Sequence, residues 1–184
     1  NSTQAAIKYL AKFSKLMRLT LEYSKESLIP IHKEIESLQN YLELEQLRFN
    51  DKFVFSITKS NNIEDDVVLP PLLLQPFVEN AIIHGVIPKK DKGKISISFS
   101  IQNESLLCTI QDNGIGINQS KINKENSVLA HKSMAIDIIK KRLERIASST
   151  AKRSSIKIEE LNENNLVSGT KVILQLPLQY INSI

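Results

Sequence analysis

The hydrophobic periodicity of this 184-residue chain changes near residue 50, and that change limits the folds available to it. Before residue 50, apolar residues recur every three or four positions, as on one face of an α-helix. After it, short alternating segments that are typical of strands are mixed with further helical segments. We therefore expect a helical stem over residues 1–50, followed by an α+β domain over residues 51–184.

The stem is predicted to contain two amphipathic helices. The first spans about residues 5–27 and the second about residues 31–49, because Pro30 interrupts the helical pattern between them. The apolar residues of the first helix, called the stem stripe below, are Ile7, Leu10, Phe13, Met17 and Leu21. Such a stripe usually packs into a core, but two helices ahead of a domain can also pair with another subunit.

The remaining segments predict a two-layer α/β sandwich. Helices are expected over residues 70–85, where prolines open the segment, and over about 128–147. Strands are expected over residues 53–60, 94–102, 105–111, 154–161 and 169–177. Helices and strands that segregate in this way favour a mixed, mostly antiparallel sheet with the helices on one face.

Composition argues against several classes of protein. We find no apolar run near the roughly 18 to 20 residues that cross a bilayer and no signal-peptide pattern, so a soluble piece is expected. The single cysteine, Cys108, cannot form an internal disulfide and fits a buried thiol in a reducing compartment. The net charge of +4 is scattered over lysine-rich loops without interleaved aromatic residues, so nucleic-acid binding is not expected.

The segment DNGIG, residues 112–116, has two interpretations. Asn-Gly between strands is a strong hairpin signal. The residues that follow, as far as about 132, are however polar and without alternation, as in a long loop that acts as a lid. Gly114 and Gly116 would then let the backbone approach a ligand, with Asp112 at the edge of its pocket. From spacing alone, a ligand site and an irregular loop entry are equally open.

A second polar feature lies inside the helix predicted over residues 70–85. Asn80 has apolar sequence neighbours, although asparagine is a poor helix former. His84 follows four residues later, so both side chains can reach the same patch. An isolated pair of this kind is more often an exposed polar stripe. The amide oxygen of Asn80 is nevertheless also a suitable ligand for Mg²⁺ that is bound by phosphates.

Three motifs occur in order along the chain: LPPLLLQPFVENAIIHG, DNGIG and GTKVILQLP. With the stem, they resemble the ATP-binding domain of sensor histidine kinases, specifically the LytS-like family that controls LytTR-type response regulators. The resemblance extends from about residue 10 to residue 177. It implies the Bergerat (GHKL) type of sandwich and a protein-histidine kinase, in which the γ-phosphate of ATP passes to a histidine and then to a response regulator.

The resemblance implies a role for each matching residue, with ATP and Mg²⁺ as cofactors. Asn80 would hold Mg²⁺, and His84 would lie near the ribose and phosphates. Asp112 would accept a hydrogen bond from the adenine amino group. The positions that would let the chain pass the purine or close the adenine end are Gly114, Gly116, Gly169 and Thr170.

Two positions depart from the pattern that is usual in this family. Ile83 stands where a lysine is common, and residues 133–136, SMAI, replace a second glycine-rich element. Backbone amides at a helix start can still bind anions there, and Lys132 is expected to contribute charge to nucleotide binding.

The resemblance also implies features of the complete parent protein. The family's phosphate-accepting histidine precedes the first helical segment, so no catalytic residue is assigned here and none of His32, His84 and His131 has the required context. The parent would be a membrane sensor with this part in the cytoplasm. The stem helices are expected to form a homodimer.

Two other functions stay open at this point. The altered glycine element fits an interaction module that binds nucleotide poorly and transmits signals through its helices. An ATPase of the gyrase, MutL or heat-shock chaperone type shares the fold. Those enzymes carry a water-activating glutamate four residues before the asparagine, where this chain has Pro76; Glu79 points about 100° away from Asn80 around the helix.

Overall fold

The computed structural model of the chain describes residues 2–117, 139, 141–143, 154–163 and 166–181. The helices are α1 (Ser2–Tyr23), α2 (Ile31–Arg48) and α3 (Gln75–Asn80), and α3 continues as a π-helix over Ala81–Val86. The strands are β1 (Ile29–Pro30), β2 (Phe53–Lys59), β3 (Val68–Leu69), β4 (Gly93–Gln102), β5 (Ser105–Asp112), β6 (Ser155–Glu163) and β7 (Leu166–Pro177). Most of the helix predicted over 128–147 lies outside the described residues, and positions 139 and 141–143 of it are helical.

Five strands form the main sheet, in the order β2-β4-β5-β7-β6. Strands β2 and β4 are parallel, and every other neighbouring pair is antiparallel. The parallel pair is joined by a crossover that contains α3, since parallel neighbours need a long connection. Strands β1 and β3 pair separately as a short antiparallel ribbon. The predicted mixed, mostly antiparallel sheet is therefore confirmed.

Strands β4 and β5 show how the sequence builds this sheet. They are joined by the two-residue turn Asn103-Glu104, in which both residues have positive φ as a type I′ turn requires. Alternate side chains of the two strands point into the core, and the buried ones include Ile95, Ile97, Phe99, Leu106, Cys108 and Ile110. The thiol of Cys108 is buried as predicted, and burial raises its pKa, so the thiol stays protonated.

Helix α2 packs into the core of the domain. Its side chains Leu38 and Leu42 are buried in the same hydrophobic cluster as Phe53 of β2 and Phe77 of α3. Each fully buried side chain of this size stabilises the fold by about 2 kcal/mol. The second helix of the predicted stem therefore buries its apolar side in the same core as the sheet.

Helix α1 turns its stem stripe away from this core. Ile7, Leu10 and Leu21 are each more than 60% exposed. A second apolar set, Leu16, Leu19 and Tyr23, is buried instead. Ion pairs from Lys12 to Glu43 and from Lys15 to Glu36 hold α1 against α2. The expectation that the stem stripe packs into the core of this chain is therefore wrong. Helix α1 has two apolar faces, and the one that is buried contains Leu16, Leu19 and Tyr23.

The helix predicted to begin at residue 70 begins five residues later. Residues 70–74 form a turn instead, and Leu72 within it has a φ of +57°. A residue that precedes proline is disfavoured in the α region, so Leu69-Pro70-Pro71 delays the start of the helix. Within the described residues, no helix combines the length and the apolarity that spanning a membrane requires.

Candidate functional site

Asp112 lies at the end of β5, next to the π-helix that continues α3. It pairs with Ile95 of β4 on one side and Thr170 of β7 on the other. Only 5% of its surface is exposed. Burial raises the pKa of Asp112 to about 6, while hydrogen bonds from the backbone of Gly114 and Thr170 lower it. The carboxylate is therefore a buried hydrogen-bond acceptor that is mostly ionised at neutral pH.

The loop after Asp112 touches the π-helix through two glycines. The N–H of Gly114 donates to Oδ1 of Asp112 at 2.8 Å, and the N–H of Ile115 donates to the carbonyl of Gly85 at 3.2 Å. A Cβ on Gly114 would overlap the backbone of Gly85, and a Cβ on Gly85 would lie 2.9 Å from Oδ1 of Asp112. The sequence analysis did not identify Gly85 as a site residue. The feature that could have indicated it is a glycine inside an apolar helical segment.

Strand β7 brings a third glycine to the backbone of Asp112. Gly169 has a φ of +144°, and a Cβ there would overlap the carbonyl oxygen of Asp112. The structure thus brings together four of the residues predicted from the sequence, from segments more than fifty positions apart: Asp112, Gly114, Gly169 and Thr170.

Gly116 marks the point where the chain leaves the sheet. Its φ is +78°, and a Cβ on it would overlap the side chain of Val167. The next N–H, that of Ile117, donates to Oε1 of Glu160 on β6 at 2.8 Å. No strand continues through residues 113–117, so the hairpin interpretation of DNGIG is wrong. Sequence reasoning also missed Glu160, since an acidic residue on a predicted strand carries no distinguishing signal.

Asn113 anchors the same loop to the neighbouring strand β4. Its Oδ1 accepts the N–H of Lys94 at 2.6 Å, and its own N–H donates to the carbonyl of Lys94 at 3.1 Å. The ammonium of Lys89 donates to the Asn113 carbonyl at 3.0 Å. These contacts keep the chain fixed immediately after Asp112.

Asn80 lies at the junction between α3 and the π-helix, and it is half-buried. π-Helices close i→i+5 hydrogen bonds and occur often at functional sites, and here the N–H of Ile87 donates to the carbonyl of Ile82 at 3.0 Å. The pairing of Asn80 with His84 assumed α-helical spacing, which the π-helix changes, and a shared patch stays a prediction. Lys132 and residues 133–136 lie outside the described residues.

Two protein families match this chain. Residues 1–53 match the histidine kinase family, and residues 66–180 match the family described as histidine kinase-, DNA gyrase B-, and HSP90-like ATPases. The chain belongs to this ATPase family. The two glycine contacts at Asp112 and the asparagine at the helix junction both lie inside the matched segment.

Relatives narrow the comparison to sensor kinases. The sensor protein LytS of Oceanobacillus iheyensis is 39% identical over 113 residues, which cover 60% of this chain and 19% of LytS. The sensor histidine kinase YpdA of Escherichia coli is 35% identical, with the same coverage of each chain. LytS of Bacillus subtilis is 34% identical over 110 residues, 60% of this chain and 18% of LytS. The chain spans about a fifth of the length of these relatives.

Solved structures show the same fold. The histidine kinase domain of a blue-light activated kinase from Erythrobacter litoralis has a TM-score of 0.60 at 14% identity, over 95% of this chain and 77% of that one. The catalytic domain of the histidine kinase ThkA has a TM-score of 0.54 at 18% identity, over 82% and 94%. The predicted fold class and the resemblance to the ATP-binding catalytic part of a LytS-like sensor histidine kinase are confirmed.

Proposed function

We propose that this chain binds ATP with Mg²⁺ and presents the γ-phosphate to a histidine outside residues 1–184. The observation that carries the proposal is the convergence of glycines from three segments on Asp112, whose carboxylate is buried. The missing Cβ atoms let three segments close around Asp112, and a buried acceptor selects the donor group that a ligand places beside it. Gly114, Gly116, Gly169 and Thr170 would surround the base of ATP.

Asp112 would select adenine. Its ionised carboxylate accepts hydrogen bonds only, and the adenine amino group is a donor. Guanine presents a carbonyl oxygen at the corresponding position, which would face the carboxylate as a second acceptor. The buried position of Asp112 makes that mismatch costly, because a polar group that is buried without a partner is penalised.

Asn80 would hold the cation that bridges the phosphates. Its amide oxygen is a hard ligand, and Mg²⁺ commonly takes one or two protein oxygens together with phosphates and waters. His84 and Lys132 would contribute polar contacts to the ribose and phosphates. Phosphoryl transfer depends mainly on positioning and on neutralising charge, so these residues would orient the γ-phosphate rather than react with it.

Asp112→Asn should weaken the binding of Mg·ATP by about 30-fold, since hydrogen bonds to charged groups contribute about 2 kcal/mol. The preference for ATP over GTP should fall with it. With a pKa of about 6 for Asp112, the affinity of the unchanged protein should fall as pH drops through 6, whereas the variant should respond less. Titration calorimetry with both nucleotides at several pH values measures all three effects.

Asp65→Asn is the matched control for this variant. Asp65 is an exposed carboxylate that pairs with Lys59, and it lies outside the glycine cluster. Its replacement should leave ATP affinity and nucleotide preference unchanged. Equal affinity of Asp112→Asn and the unchanged chain for ATP would remove Asp112 from the site.

The stem would join two copies of the chain. We propose that residues 1–50 form the dimerisation stem and residues 51–184 the ATP-binding domain, with a LytTR-type response regulator as the phosphate acceptor of the complete kinase. The exposed stem stripe supports a second copy as partner, because a contiguous exposed apolar face marks an interaction surface. The complete kinase would be a membrane sensor whose ATP-binding part lies in the cytoplasm.

Leu10→Glu should convert a dimeric chain into a monomer, because it places an unpaired charge inside an apolar interface. Light scattering coupled to size exclusion gives the mass directly. Asn61→Glu introduces the same charge at an exposed position in the turn after β2, outside α1, and it should leave the mass unchanged. A monomeric unchanged chain, or a dimer that survives Leu10→Glu, would contradict pairing through the stripe.

Phosphotransfer itself can be tested with γ-labelled ATP. The chain alone should acquire no phosphohistidine at His32, His84 or His131. A hybrid that carries the phosphoacceptor segment of a LytS relative ahead of Asn1 should become labelled, and Asn80→Ala in that hybrid should abolish the label. A hybrid that binds ATP but stays unlabelled would contradict kinase function, and steady release of phosphate by the chain would favour the ATPase alternative.

A further inference from the structure

A fully buried carboxylate connects the stem to the start of the helix that carries Asn80. Glu34 of α2 is 0% exposed. Its Oε2 accepts the N–H of Leu72 at 2.9 Å, and its Oε1 accepts the N–H of Leu74 at 3.3 Å. Both donors lie in the turn formed by residues 70–74, nearly forty positions away in sequence. Burying a charged group is costly, so a carboxylate in this position calls for a specific role.

The 70–74 turn depends on contacts from outside itself. Leu72 has a φ of +57°, a conformation that is uncommon for a bulky side chain and needs support from its surroundings. Glu34 supports it on one side. On another, the guanidinium of Arg142 donates to the carbonyl of Pro71 at 3.1 Å. The turn is therefore held jointly by α2 and by the helical segment at residues 141–143.

Glu34 also caps α3 from another helix. Leu74 occupies the N-cap position of α3, and its own side chain makes no capping hydrogen bond. The first N–H groups of a helix need acceptors. Glu34 supplies one for the N–H of Leu74. Asn80 follows six residues later, about 9 Å along the helix axis, so a short rigid segment separates the cap from the proposed cation ligand.

Elsewhere along α2, Glu45 faces a like charge on α3. Burial raises the pKa of Glu45, Arg48 lowers it, and the like charge of Glu79 on α3 raises it. Arg48 lies on α2 with Glu45, so that ion pair does not link the two helices. Among the residues described here, the hydrogen bonds of Glu34 are the polar contacts that tie α2 to the beginning of α3.

We propose that Glu34 is a positioning residue for nucleotide binding. Its carboxylate fixes the 70–74 turn to α2 and thereby sets where α3 presents Asn80 to the phosphates. The inference rests on the proposed function, because it takes Asn80 as the residue that holds the metal-bound phosphates. A displacement of the stem would then alter ATP binding through this contact.

The first experiment compares Glu34→Gln with Leu44→Ala in the full chain. Glu34→Gln keeps the shape of the side chain but turns an NH₂ group toward one of the backbone donors. Leu44 is a buried apolar residue of the same helix, so its truncation lowers stability without removing a hydrogen bond from the turn. The affinity for Mg·ATP is measured by calorimetry below the unfolding temperature of each variant.

We expect Glu34→Gln to weaken Mg·ATP binding about tenfold, a typical size for coupling between two sites. Leu44→Ala should bind as the unchanged chain does. Equal affinity of Glu34→Gln and the unchanged chain, or equal loss in both variants, would overturn the inference. No binding by the unchanged chain would instead overturn the proposed function, and the inference would fall with it.

A second measurement needs no variant and covers the case in which Glu34→Gln does not fold. If the 70–74 turn and the site are coupled, saturating Mg·ATP should slow hydrogen exchange at the amides of Leu72 and Leu74. Amides of α1, such as that of Leu19, serve as the internal comparison because α1 lies outside this contact. Unchanged exchange at Leu72 and Leu74 in a chain that binds ATP would overturn the inference.

Discussion

Gly169→Ala should lower the free energy of unfolding by about 4 kcal/mol, because it combines backbone strain with a steric overlap that cannot relax easily. The φ of +144° at Gly169 belongs to a region that side chains rarely adopt. The new Cβ would overlap the carbonyl oxygen of Asp112, which is backbone of the neighbouring strand. Strands β5 and β7 would have to separate where the proposed adenine pocket lies. Urea unfolding followed by circular dichroism measures the loss.

Ser168→Ala is the control for this substitution. Ser168 precedes Gly169 in β7, and its replacement removes only a hydroxyl group from a half-buried position. We expect its unfolding free energy to stay within about 0.5 kcal/mol of the unchanged chain. A Gly169→Ala variant as stable as Ser168→Ala would show that β7 does not approach Asp112 as described.

The second large effect is a dependence of stability on pH through Glu34. Burial raises the pKa of Glu34 to about 7 from an ordinary value of 4.5, while the backbone amides of residues 72–74 and the charge of Arg142 lower it. Between these two values the folded chain holds a proton that the unfolded chain has lost. The stability that this proton contributes is complete below pH 4.5 and is lost as pH rises to 7, by about 3 kcal/mol.

Glu34→Gln should remove that contribution. The unfolding free energy of the variant minus that of the unchanged chain should therefore rise by about 3 kcal/mol between pH 4.5 and pH 7. The groups that interact electrostatically with Glu34, namely Arg142, Tyr23 and Cys108, are retained in both proteins. Denaturant titrations at four or five pH values, with the exposed Glu64→Gln as control, provide the comparison. Parallel profiles for the unchanged chain and Glu34→Gln would contradict a buried, titrating carboxylate.

The sequence was sufficient for the architecture and for bringing together the residues of the proposed adenine pocket. Alternation and turn residues identified the strands, and the missing return strand after Gly114 argued against a hairpin. Asp112, Gly114, Gly169 and Thr170 were assigned from motifs, and the register of β5 with β7 brings them together. Local pattern placed Asp112 at the end of β5, and the family motifs supplied the other three residues.

The features that the sequence did not reveal depend on contacts between distant segments. Glu34 and Glu160 look like ordinary solvated carboxylates, and only tertiary packing places them against the backbone of residues 72–74 and 117. The π-helix after Asn80 is not specified by hydrophobic periodicity, since its sequence also fits an α-helix. The direction of the stem stripe was ambiguous because α1 has two apolar faces. Contacts with α2 decide which of the two faces is buried.

The most direct test of the proposed site is a calorimetric titration of the unchanged chain with ATP in the presence of Mg²⁺. We predict a saturable heat that corresponds to one nucleotide per chain, that weakens when Mg²⁺ is removed, and that is much smaller with GTP. No heat at millimolar ATP, or equal binding of ATP and GTP, would contradict a cleft in which Asp112 reads adenine and Asn80 holds the metal-bound phosphates.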